Sequence, residues 1–153
     1  VERLKSRFPE LFVLLSGPAR GYIKNGLNRI GVPFKHVILD RYEEIADLYQ
    51  ASDLCLVASR QEGGPKAVLE AMASGVPVAV SDRVEGVVRH EETGLVFGAE
   101  DVAGMRKQIT RLLDDDDLAA ELGTAARREA LARWDAKALM PREIEIVKEV
   151  ARI

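Results

Sequence analysis

The chain has 153 residues, enough for one domain with a substantial core and short for two. Its 47% hydrophobic and 31% charged residues are ordinary for a soluble globular protein, and a net charge of −3 gives no overall attraction for nucleic acid or an anionic membrane. The single cysteine, Cys55, excludes an intrachain disulfide, and no apolar run approaches the roughly 18–20 residues that span a bilayer. A cytoplasmic protein is expected, any peripheral membrane contact being left to a partner domain.

Residues 1–9 read as the end of an amphipathic helix with Val1, Leu4 and Phe8 on one face. Leu11 to Leu15 is a continuous apolar strand, closed by the turn signal Ser16-Gly17-Pro18. Arg20 to Ile30 has helical spacing and stops at Gly31. Val37-Ile38-Leu39 reads as a short buried strand and Glu43 to Ala51 as a helix. Next come a strand over Asp53–Ala58, a loop over Ser59–Pro65, a helix through Ala67–Ala73 and a strand over Val76–Val80. Val84–His90 is predicted as a short helix and Gly94–Phe97 as a last strand.

From Asp101 onward the pattern is helical. One stripe runs through Val102, Met105, Ile109, Leu112 and Leu113, another through Leu118, Leu122, Ala126 and Leu131. Asp114–Asp117 is best read as capping the next helix and complementing its dipole, not as a metal site. A last helix starts at Asp135 and should break or kink at Pro141.

Continuously apolar strands alternating with helices indicate a parallel sheet covered on both faces, which is a Rossmann-like, doubly wound α/β domain with a helical carboxyl-terminal tail. Ligands in such sheets bind beyond the carboxyl ends of the strands. That end holds the loops Ser16–Arg20, with Gly17, then Asp40–Tyr42, Ser59–Pro65 and Ser81–Gly86. The chain opens on a helix where a doubly wound unit opens on a strand, so a first strand is expected upstream.

The most informative stretch is Ser59 to Pro77, S-R-Q-E-G-G-P-K-A-V-L-E-A-M-A-S-G-V-P. Gly63, Gly64 and Pro65 put bare backbone in front of a helix, where N–H groups and the positive helix end favour an anion such as a phosphate or pyrophosphate. Lys66 adds a positive charge. The same residues also fit a plain turn with a Lys66–Glu70 pair at i, i+4. Glu70 lies in a helix apolar almost all round, and a buried carboxylate needs a partner or a ligand. Sugar hydroxyls would meet that need at Glu70 and, further out, at Glu62; a salt-bridged Glu70 and a solvated Glu62 are the alternative.

Other constellations are missing: there is no G-x-G-x-x-G, Walker A or G-x-S-x-G motif, and His36 and His90 lack metal-ligand spacing. Basic residues are scattered without interleaved aromatics, which argues against nucleic acid.

At Glu62 and Glu70 the sequence resembles the carboxyl-terminal, donor-binding domain of GT-B glycosyltransferases, the retaining family 4-like group (glycosyl transferases group 1). The E-x7-E spacing is followed by E-A-M-A-x-G-x-P at Glu70–Pro77, and the likeness extends from Ile45–Tyr49 to Glu92–Val96 and into Leu112–Asp114. The resemblance implies one half of a GT-B fold that binds a nucleotide-diphosphate sugar, such as a UDP- or GDP-sugar. Glu62 would contact the donor sugar as the catalytic residue, and Glu70 the ribose hydroxyls. Gly63 and Gly64 would contact sugar and phosphates through their amides, and Asp40, Arg41 and Tyr42 would lie near the base. No metal or other cofactor would be needed, and transfer to an acceptor hydroxyl would retain anomeric configuration, the leaving diphosphate assisting attack on the same face.

Two departures stand out. The family often has an aromatic residue where Gly64 stands and a glycine at Pro65. Its donor domain also begins with a strand ending in arginine, with a lysine soon after, both contacting the diphosphate; this chain starts after them, and the amino-terminal acceptor domain is missing too. The expectation is thus a single donor domain over residues 1–153, a fragment of a hexosyltransferase that transfers nothing by itself. The competing readings are a GT-B-like nucleotide-sugar epimerase, disfavoured by the E-x7-E match and the lack of a suitable histidine, and a non-catalytic nucleotide-sugar-binding or interaction module.

Overall fold

The computed structural model describes residues 2–18, 21–39 and 41–151, and these divide into two compact units, 1–52 and 53–153. In the first, α1 (Glu2–Arg7), β1 (Val13–Ser16), α2 (Gly21–Arg29), β2 (Phe34–Val37) and α3 (Glu44–Gln50) follow one another. β1 and β2 run parallel, with Val13 opposite Phe34 and Ser16 opposite Val37. α2 ends in a Schellman motif: Gly31, at φ +65°, donates to the Asn28 carbonyl and Val32 to that of Leu27.

β2 therefore begins three residues before the apolar run expected as the strand, and Ile38 is 71% exposed instead of buried. The partner strand decides this. β1 stops at Ser16 and the chain turns at Gly17, whose N–H bonds the Val37 carbonyl, so residues beyond Val37 have no strand to pair with.

The second unit contains β3 (Cys55–Val57), α4 (Lys66–Ala73), β4 (Val78–Ser81), β5 (Leu95–Phe97), α5 (Val102–Asp114), α6 (Asp116–Arg133) and α7 (Ala136–Val150). Its sheet has the order β3-β4-β5 and is parallel throughout, with Cys55 opposite Val78 and Ser81 opposite Phe97. Every residue of the central strand β4 is buried, as expected for a strand covered on both faces. Ala79, Leu95, Phe97, Leu112 and Leu122 form a core into which Leu54, Met105 and Leu118 pack. Fully burying one such large side chain is worth about 1.5–3 kcal/mol.

α4 also ends in a Schellman motif, Gly75 (φ +78°) bonding Met72 and Val76 bonding Ala71. The turn approaches α6 so closely that Gly123 sits directly against the Gly75 carbonyl, where no side chain fits. Arg127, four residues further along α6, donates to the Ala73 carbonyl at the end of α4. The aspartates between α5 and α6 do act as a cap, Asp115 accepting from the Leu118 N–H at 2.9 Å, and Asp135 caps α7 by accepting from Lys137 N–H at 2.8 Å.

Three expectations for this unit fail. Val84–His90 is a series of turns, because Gly86 takes a left-handed φ of +74° and Arg89 N–H turns to the Thr93 hydroxyl. α7 continues through Pro141 without the break that was one of the two outcomes expected there, and the missing N–H leaves the carbonyl of the exposed Lys137 without its helical partner. Val102 and Leu131, placed on apolar stripes, are 67% and 50% exposed at the helix margins.

Candidate functional site

The loops that follow β3, β4 and β5 meet at the carboxyl end of the parallel sheet. They enclose an open cleft of about 430 Å³, lined by Arg60, Gln61, Glu62, Gly63 and Pro65 from the first, Arg83 and Glu85 from the second, and Ala99 and Glu100 from the third. Such crevices follow from parallel topology, because each strand ends where its chain must leave for the next helix. Asp82 ties two of these loops together: its N–H bonds the Phe97 carbonyl and its Oδ1 accepts from Ala99 N–H at 3.1 Å. Arg60 closes the third side by a two-pronged contact with Glu100, at 3.1 and 3.2 Å.

Glu62 sits half-buried in this cleft with both carboxylate oxygens engaged. Oε2 accepts from the Ser59 hydroxyl at 3.0 Å, and Oε1 lies 3.5 Å from the Gly64 N–H. Ser59 is itself held from behind, because the fully buried Ser81 at the end of β4 donates its hydroxyl to the Ser59 carbonyl at 2.6 Å. Around Gly63 and Gly64 an added methyl would meet no atom within 4 Å, so the loop faces open space. Pro65 then precedes α4 as its cap residue, and Lys66 opens the helix with its side chain 72% exposed.

Glu70 lies one turn further along α4, its side chain only 13% exposed, with Lys66 Nζ at 3.7 Å. Its neighbour beneath is Cys55 on β3. Burial pushes the Cys55 thiol up to about 11, and the Glu70 carboxylate adds to that rise, since a second negative charge nearby is unfavourable. Glu62 and Glu70 thus occupy different settings: a hydroxyl-held carboxylate in an open cleft and a nearly enclosed one on a helix.

Of the residues singled out in the sequence, Glu62, Gly63, Gly64, Pro65, Lys66 and Glu70 come together in the second unit. Gly17, Arg41 and Tyr42 belong to the first. Gly17 has φ +74° and its carbonyl contacts His36 Nε2 at 2.6 Å; Arg41 pairs with Glu44 at 2.8 Å; Tyr42 is 59% exposed. Asp40 lies outside the described residues. The sequence reading passed over Ser59, Arg60, Arg83 and Glu100. Of these only Ser59 carried a local signal, its i, i+3 spacing from Glu62.

A larger recess, about 960 Å³, lies where α5 meets α6 and carries Arg106, Lys107, Arg111 and the four aspartates. Asp115 is spent on the helix cap and Arg111 on an ion pair with Glu91 at 2.8 Å. Among the described residues no group of three or more histidines, cysteines or carboxylates is arranged to hold a metal, and no helix is long and apolar enough to cross a membrane.

The fold is that of GT-B glycosyltransferases. Over 99% of its length the chain superposes on 41% of sucrose-phosphate synthase from Thermosynechococcus elongatus, with a TM-score of 0.85 and 24% identity. It covers 92% of itself and 42% of Anabaena HepE in a complex with UDP-glucose, at a TM-score of 0.82 and 19% identity. The chain belongs to the glycosyl transferases group 1 family, whose model matches residues 1–129. Among curated relatives, N-acetyl-alpha-D-glucosaminyl L-malate synthase of Bacillus anthracis is 28% identical over 94% of this chain and 38% of its own length. The lipopolysaccharide core biosynthesis mannosyltransferase LpsB of Rhizobium meliloti is 30% identical over 93% of the chain and 42% of its own length. The chain thus spans less than half of the curated relatives it matches.

Proposed function

We propose that this chain is the donor-binding half of a glycosyltransferase that moves a sugar from a nucleotide-diphosphate sugar, such as a UDP- or GDP-sugar, to an acceptor hydroxyl with retention. The observation that carries this reading is the placement of two carboxylates on either side of the α4 start: Glu62 in the open cleft and Glu70, 13% exposed, one turn inside the helix. In this reading Glu70 accepts hydrogen bonds from the ribose hydroxyls and Glu62 contacts the donor sugar as the catalytic residue. The loop Gly63-Gly64-Pro65 with Lys66 receives the diphosphate, the helix end supplying positive potential where a metal would otherwise act. Support for a nucleotide sugar comes from the HepE complexes with UDP and UDP-glucose, whose fold this chain shares.

The acceptor belongs to an amino-terminal domain, in keeping with relatives more than twice as long as the region they share with this chain. Alone, these 153 residues transfer nothing. Titration calorimetry of the complete polypeptide with UDP-glucose, UDP-N-acetylglucosamine and GDP-mannose tests the reading. Saturable binding of one of them that persists in excess chelator is expected, and absence of binding to all three overturns it.

A further inference from the structure

We infer that Ser59 is a positioning residue for Glu62, fixed in turn by the buried end of β4; this rests on the reading of Glu62 as the residue that meets the donor sugar. Residues 58–65 contain no helix or strand, so nothing in the backbone pattern holds Glu62 in one place. A glutamate in an open cleft has three free rotors, and ordering them is unfavourable unless contacts offset the lost entropy. The contacts form a chain of three links. Ser81, with no exposed surface, sits in register opposite Phe97 at the end of the central strand. Its hydroxyl donates to the Ser59 carbonyl at 2.6 Å, and the Ser59 hydroxyl donates to Glu62 Oε2 at 3.0 Å.

The geometry divides the carboxylate between two duties. Oε2 is held by Ser59, while Oε1 is only loosely engaged, 3.5 Å from the Gly64 N–H. Oε1 is thus the oxygen that can turn to a ligand without dismantling the loop. Because Ser59 lines neither the cleft nor α4, its removal should leave nucleotide binding alone and disturb only what Glu62 does.

The test measures nucleoside diphosphate release from UDP-glucose, UDP-N-acetylglucosamine or GDP-mannose by the complete polypeptide, with water as acceptor. Ser59→Ala is expected to lower kcat about 10- to 100-fold, the scale of a misplaced reacting group, with KM for the donor and Kd for the bare nucleotide little changed. Ser59→Thr, which keeps the hydroxyl, should recover most of the rate. In a Glu62→Gln background Ser59→Ala should cost nothing more. A normal kcat in Ser59→Ala beside a low one in Glu62→Gln overturns the positioning role while leaving the donor reading intact. A normal kcat in Glu62→Gln overturns the donor reading instead. Equal losses of kcat, nucleotide affinity and thermal midpoint in Ser59→Ala would mark the residue as merely structural.

Discussion

Replacing Glu70 by glutamine separates a binding carboxylate from a structural one. Lys66 Nζ lies 3.7 Å from the Glu70 carboxylate, on a side chain 72% exposed. An i, i+4 pair with so exposed a partner is worth about 0.3–0.5 kcal/mol. Against that loss, the amide removes a charge from a side chain only 13% exposed, which relieves desolvation. For this pair the two effects oppose each other, so its loss by itself should change the folding free energy by no more than about 0.5 kcal/mol. Binding behaves differently. A hydrogen bond to a charged group contributes about 1.5–3 kcal/mol and one to a neutral group about 1, so two ribose hydroxyls facing an amide lose about 1–4 kcal/mol together. At 1.4 kcal/mol per factor of ten, Kd for the nucleotide rises roughly 5- to 700-fold. Calorimetry gives the Kd and urea unfolding the stability. A Kd within threefold of wild type, or a large stability loss with unchanged affinity, refutes the reasoning. Cys55 reports on the same substitution independently. Its thiol, at about 11, owes most of its rise to burial and part to Glu70, so thiolate absorbance against pH should titrate lower in Glu70→Gln yet stay above the ordinary cysteine value of 9.0.

Three further outcomes follow from the packing. Gly123→Ala pushes a methyl onto the Gly75 carbonyl, with Pro77 Cδ at 3.5 Å behind it; overpacking of about 1–3 kcal/mol outweighs the gain in helix propensity, and the urea midpoint should fall. Gly64→Ala meets no atom within 4 Å, so it should leave the thermal midpoint unchanged or slightly raised while weakening donor binding, because the ligand needs that space. Hydrogen bonds from Arg133 and Arg89 hold the Glu129 carboxyl below the usual range, as Arg111 does for Glu91. Their stabilisation is complete above the unfolded carboxylate value and is lost as pH falls through the lower folded values, so Glu129→Gln should flatten the acid side of a stability–pH curve.

Local chemistry was the readable part. The caps at Asp115 and Asp135 and the glycine stop at Gly31 join groups within a few residues, and sequence spacing reports them directly. α4 was visible as a run apolar almost all round that holds one misplaced carboxylate. What escaped depends on partners distant in sequence. The end of β2 is set by where β1 turns away, 20 residues earlier, and no pattern within Phe34–Leu39 records it. The apolar Val84–His90 was taken for a helix although Gly86 adopts a backbone angle that helices do not use. The cleft was legible only in part: its acidic residue stood out by spacing, but the hydroxyl relay spans 22 positions and the Arg60–Glu100 closure 40.

The backbone contact between Gly75 and Gly123, with Arg127 fastened to the Ala73 carbonyl, makes α4 and α6 one mechanical piece. That limits how the domain can be recombined. A chimera that exchanged its tail for a relative's at the aspartates between α5 and α6 would import a helix without a guaranteed glycine at this crossing, and the helix bearing Glu70 would shift with it. A junction placed after Arg133 leaves the crossing whole. For anyone grafting donor specificity between members of this family, α6 travels with the glutamates although none of its residues lines their cleft.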